Sequence, residues 1–156
     1  MNKVKDYFIT FRDGRRDPLH YLGAILVLLV SLIIYIKTVQ PTLPYWDCGE
    51  FITTSYKFEV GHPPGAPFFM IVGRFFTLFG GAENAAKLIN ALSALASAFT
   101  IVFLYWTITH LAKKIITVNK EISLRKTIAI ISTGFIGALA YTFSDIFWFS
   151  SVEGEV

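Results

Sequence analysis

The chain has 156 residues, 54% of them apolar and 16% charged, against roughly one quarter charged in a typical soluble domain. Its apolar residues fall in long uninterrupted blocks with little helical or strand periodicity, which argues against a soluble core and for bilayer spans. The net charge of +3 is small and its basic residues flank those blocks, so the charge orients the chain in a membrane and implies no nucleic-acid partner.

The hydrocarbon core is about 30 Å thick, so a spanning helix needs roughly 20 largely apolar residues. Residues 1–18 carry Lys3, Lys5, Arg12, Arg15 and Arg16 and read as a cytoplasmic basic segment. The first span is 19–39, LHYLGAILVLLVSLIIYIKTV, with Tyr21 and Tyr35 as interfacial anchors. It is longer than the apolar part of a secretory signal and no small-x-small cleavage site follows, so it reads as a retained anchor. Residues 40–83 form an outer loop. Near its end, Pro67 to Phe79 (PFFMIVGRFFTLF) is apolar but only about 20 Å long as a helix, with Arg74 near its middle. It reads as an interfacial helix, with Gly73, Arg74 and Thr77 as a narrow polar stripe against Phe68, Phe69, Val72, Phe75, Phe76 and Phe79.

The second span is 84–112, anchored by Tyr105 and Trp106. The cytoplasmic basic loop 113–126 follows, with Lys113, Lys114, Lys120, Arg125 and Lys126. The third span is 127–149, and residues 150–156 begin a second outer loop. Two crossings between the basic clusters return the chain to the cytoplasmic side, which agrees with an interfacial reading of Pro67 to Phe79. Ser93 and Ser97, Ala94 and Ala98, and Gly134 and Ala138 stand four apart, a spacing that lets helices approach closely in a bundle. Asp145, inside the third span, is expected to snorkel or to face the bundle, because a charge at that depth is costly.

The outer loop from Gln40 to Pro67, QPTLPYWDCGEFITTSYKFEVGHPPGAP, mixes ionisable residues with rigid turns, as functional loops do. Asp47 and Glu50 share one face of a helix, and Phe51, Ile52, Tyr56 and Phe58 could then bury in the interface, holding two carboxylates near the lipid headgroups. The alternative is a capping box, in which Asp47 caps the helix and Glu50 reaches back to its backbone N–H. His62, beside Pro63 and Pro64, could be a metal ligand, a phosphate contact or a polar turn residue. Glu153 and Glu155 return to the same side after the third span, so four carboxylates could converge there; a solvated loop is the alternative. Cys48 is the only cysteine, which rules out an internal disulfide and a Cys-based metal cluster.

One span, then YWDCGEF, an amphipathic stretch, GHPPGAPFF, an interfacial helix and a long Ala-rich span: from about Leu19 to Val156 this order resembles the start of a GT-C glycosyltransferase. More narrowly, it resembles the protein O-mannosyltransferase-like branch that includes transmembrane protein 260, catalogued among bacterial proteins as a domain of unknown function. The resemblance implies an all-α membrane protein, about three transmembrane helices plus interfacial helices in the first outer loop, opening a GT-C type bundle. It implies inverting transfer of a sugar, with mannose as the candidate, from a polyprenyl-phosphate donor to a hydroxyl of a protein or glycan acceptor on the outer, periplasmic side of a bacterial inner membrane.

By the same resemblance Asp47 is the general base or acceptor-orienting acid, and Glu50 supports it or binds the acceptor. A partly desolvated carboxylate has a raised pKa and accepts a proton better. The resemblance also places His62 on the donor phosphate or sugar, and matches Glu153 and Glu155 to the acidic second outer loop. Arg74 lies outside the motif and enters on electrostatics alone, as a cation that could neutralise phosphate.

GT-C enzymes have many more spans, so this chain reads as an amino-terminal fragment that is inactive alone. The rival reading is a non-catalytic multi-pass component, such as a transporter subunit or assembly factor, whose outer acids bind cations or a partner. Dependence on a lipid-linked sugar separates the two. Membrane lipids are partners on either reading. No cofactor is called for, although carboxylates with one His leave a divalent cation open.

Overall fold

The computed structural model describes residues 18–44, 47–63, 65–116 and 123–154. The basic segment before Pro18, Lys120 and Glu155 lie outside the described residues. The helices are α1 (Pro18–Thr38), α2 (Cys48–Lys57), α3 (Pro67–Thr77), α4 (Ala85–Ile116), α5 (Leu124–Thr142) and α6 (Asp145–Ser151), with a 3₁₀ turn at Ala82–Asn84 before α4. No strand occurs among the described residues. The protein is an all-α membrane protein: α1 and the helical run Ala82–Ile116 are each long and apolar enough to cross a bilayer.

α1 starts on Pro18, where the missing N–H costs nothing, and ends with Lys37 in its last turn, beside the exposed C-terminal carbonyls. Its 21 residues reach roughly 30 Å. α4 runs for 32 residues with Lys113 and Lys114 in its last turn.

The third apolar stretch departs from the expectation of one helix over 127–149. It is broken at Phe143 and Ser144 into α5 and α6, which are bent by 69° and are long and apolar enough to cross a bilayer only when taken together. The local sequence explains the break. Ser144 takes an extended conformation ahead of α6 and Asp145 lies in its first turn, where an acid is favoured by the helix dipole. Asp145 is therefore exposed at a helix start; it is not a charge in the middle of a continuous span.

Among the described residues, one compact unit is drawn from 18–31 and 99–143, and the other from 32–98 and 144–154. In the first unit, helices meet through glycine. A β-carbon on Gly23 would fall 2.3 Å from the Tyr105 hydroxyl, and one on Gly134 would fall 2.3 Å from Thr109 Cγ2. The fully buried Tyr105 stacks on His20, centroids 5.3 Å apart, and donates to the His20 carbonyl at 3.2 Å. Gly134 and Ala138 are both buried on α5, so the small-residue spacing does serve close helix packing.

In the second unit α2 and α3 pack on the first turns of α4. Ile52, Ala85 and Ile89 form the buried cluster, with Tyr56, Phe69 and Ala86 against it. A β-carbon on Gly73 would lie 2.7 Å from Ser55 Oγ and 2.9 Å from Ile89 Cδ1. Two faces expected at the membrane surface are instead packed on protein: the apolar face of α2 and the polar stripe of α3. Ile52 is buried in protein and not offered to lipid. On α3, Gly73 and Thr77 of the polar stripe are buried together with Met70, whereas Phe68, Ile71 and Phe75 stay exposed. Glycine and a small hydroxyl permit the close approach to α2 that phenylalanine would block. α3 has 11 residues, roughly 16 Å, too short to span.

Candidate active site in the loop after α1

The loop that follows α1 is tied down by one side chain from α4. Asn90 is fully buried. Its amide nitrogen donates to the Gln40 and Thr42 carbonyls at 2.8 and 3.2 Å. Its oxygen accepts the Gly154 N–H at 2.8 Å. The Gln40 N–H donates to the Val152 carbonyl at 3.1 Å, so the start of the loop after α1 and the stretch after α6 are joined at one point. A β-carbon on Gly154 would sit 2.7 Å from Ile89 Cγ2 and 2.9 Å from Asn90 Oδ1; only glycine fits there. Glu153, next to this junction, is buried.

Asp47 precedes α2 and is exposed. The capping box does not form. Asp47 makes no side-chain cap bond, and Glu50 reaches forward instead of back. Glu50 accepts the His62 backbone N–H on Oε1 at 2.6 Å and meets His62 Nδ1 with Oε2 at 2.7 Å. Both side chains keep solvent contact, His62 at 52% and Glu50 at 38% exposure.

The His62 backbone N–H, then its imidazole, hold the Glu50 carboxyl below the usual carboxylate range, outweighing partial burial. His62 is pushed up, chiefly by the hydrogen bond to Glu50 and then by its charge, with a smaller contribution from Asp47. A carboxylate stabilised in its ionised form is a weaker base, which makes Glu50 a poor acceptor of a substrate proton.

The turn carrying His62 is closed by the Gly65 N–H donating to the His62 carbonyl at 2.8 Å. Gly65 sits at φ 67°, a conformation that suits glycine. α2 ends on Phe58 in the left-handed region at φ 59°. Arg74 donates to the Tyr56 carbonyl near that end, with its guanidinium 5.7 Å from the Tyr56 ring centroid. Arg74 thus satisfies an otherwise unpaired helix-end carbonyl. Ile52, Thr53 and Tyr56 of α2 line a cleft of about 390 Å³ with Leu43 and Glu83; Ile52 and Tyr56 stand roughly 200–240° around the helix from Glu50.

The structure therefore joins Glu50 and His62 directly and sets Asp47 near them. It gives Arg74 a partner on α2. Glu155 lies outside the described residues. Among the described residues no three His, Cys, Asp or Glu side chains gather to hold a metal ion.

With this geometry in view, the family described as Protein O-mannosyl-transferase TMEM260 N-terminal domain matches residues 47–156. The chain belongs to that family. The match opens on Asp47 and takes in α2 through α6 of this TMEM260-type domain. A Dictyostelium discoideum protein named Protein O-mannosyl-transferase tmem260 is 28% identical over 138 residues, 86% of this chain and 15% of that protein. A Mus musculus protein named Protein O-mannosyl-transferase TMEM260 is 27% identical over 135 residues, 86% of this chain and 17% of that protein. The chain thus spans less than a fifth of the length of these relatives. No solved structure matches it.

Two residues that shape this TMEM260-type loop were missed in the sequence reading. Asn90 left a usable trace, since an amide inside an apolar helix needs partners. Gly61, where a β-carbon would lie 2.9 Å from Glu50 Oε1, left none, because that contact is with a carboxylate eleven positions away in the chain.

Proposed function

We propose that the full-length protein is an inverting membrane glycosyltransferase of the GT-C type. It moves a sugar, mannose, from a polyprenyl-phosphate donor to a hydroxyl on a protein or glycan at the outer side of the membrane, periplasmic in a bacterial cell. The observation that carries this reading is the family match that opens on Asp47, at the start of the helix whose Glu50 engages His62. The relatives' names supply the reaction class and the sugar.

In this reading Asp47 accepts the acceptor's proton. Its exposure and lack of a cap bond leave its carboxylate available for that role. His62 faces the donor, and the acidic stretch at Glu153 and Glu155 completes the outer region. Arg74 has a lesser part, because its guanidinium already serves Tyr56. The loop stands on the outer side if α1 and α4 both span, since the basic residues at the end of α4 then return inside. α3 lies along the interface with Phe68, Ile71 and Phe75 towards lipid.

The test is transfer from polyprenyl-phosphate mannose to an acceptor peptide by the full-length protein in lipid nanodiscs. Asp47→Asn should lower transfer by about 10²–10⁴-fold while leaving membrane insertion intact. Wild-type turnover in that variant removes Asp47 as the base. Binding of a partner that needs the outer acids, with no transfer of any lipid-linked sugar, would favour a non-catalytic membrane component.

A further inference from the structure

We propose that Glu50 and Gly61 are positioning residues for His62, so that the imidazole, and not the Glu50 carboxylate, is the group this loop presents to a ligand. Glu50 holds His62 twice, by its backbone N–H at 2.6 Å and by Nδ1 at 2.7 Å. Two bonds to one residue fix both the backbone and the ring, which a single contact would not. With Nδ1 turned to a carboxylate, the proton sits on that nitrogen, and Nε2 lies on the opposite edge of a half-exposed ring. Glu50 and Asp47 are the charged groups that act on this imidazole.

Gly61 is the second half of the device. A β-carbon at position 61 would lie 2.9 Å from Glu50 Oε1, with Thr54 Cγ2 at an ordinary 3.9 Å. The crowded atom is the tip of a flexible side chain. An alanine at 61 is therefore accommodated by displacing the carboxylate, which breaks the hold on His62 and leaves α2 in place. Gly61→Ala thus separates clamp from fold.

Histidine-selective NMR in nanodiscs, on the chain itself, reads the clamp without any activity. The chain has three histidines, and His62→Gln identifies the resonance. Glu50→Gln and Gly61→Ala should each lower the His62 titration midpoint towards the ordinary histidine value. Each should also speed exchange of the His62 amide, with helix content by circular dichroism unchanged. An unchanged midpoint and unchanged amide exchange in both variants overturns the clamp.

The catalytic arm of the proposal rests on the transferase reading above. In the full-length enzyme, Glu50→Gln should shift the alkaline limb of the pH–rate profile to lower pH, in step with the His62 midpoint, because a histidine that meets an anionic donor acts in its protonated form. It should also reduce transfer by about 100-fold, as misplacement of a site group does. A uniform fall at every pH, with the limb unmoved, overturns the positioning role. Wild-type protein that transfers no lipid-linked sugar defeats the transferase reading alone, since the NMR result still decides the clamp.

Discussion

The two halves of α4 hold their neighbours by different means. In the first unit, Tyr105 and Thr109 press into glycines of α1 and α5, and the contact is largely one of shape. In the second, Asn90 binds two carbonyls and one N–H. The difference follows from what is being held. Helices satisfy their own backbone groups, so in lipid they need only fit closely. An irregular loop has backbone groups that require partners from elsewhere, and a buried amide offers donors and an acceptor together.

Gly134→Leu should do the most damage to this arrangement. Its β-carbon alone would overlap Thr109 Cγ2, and overpacking at so tight a site costs about 3 kcal/mol or prevents correct assembly; thermal unfolding in detergent reads it. Asn90→Ala should cost about 2–3 kcal/mol, because removing the amide strands buried polar groups. Its loss should appear as faster exchange of the Gly154 amide. If Asn90→Ala left that exchange unchanged, the contrast between the halves would collapse. Phe58→Gly tests the opposite sign. Phe58 sits in the left-handed region and is 62% exposed, so glycine should stabilise α2 by up to about 1 kcal/mol. A destabilised variant would show that the ring contributes more by contact than its conformation costs.

The smallest effect is the pH response of the clamp. The folded His62 value is raised, so its contribution is fully present below the unfolded value and fades as pH rises through the folded one. The folded Glu50 value is lowered, so its contribution is present above the unfolded value and fades as pH falls through the folded one. Protection of the His62 amide, corrected for intrinsic exchange, should therefore be greatest between Glu50's lowered value and His62's raised one. Protection that climbs steadily into alkaline pH would contradict the pairing.

The long apolar runs determined by themselves that this is a helical membrane protein, because span length and apolar composition are local properties set by the thickness of lipid. The acidic loop was equally legible, since WDCGEF and GHPPG stand out between apolar runs. Tertiary structure alone decided the partners. Glu50 could have capped its own helix or reached across to His62, and spacing favours neither. The buried side of α3 turned out to be the glycine and threonine side, since helix approach there is limited by size and not by hydrophobicity. Asn90's partners lie about fifty and sixty-four positions away. Pairings at such distances depend on where the folded backbone brings its groups together.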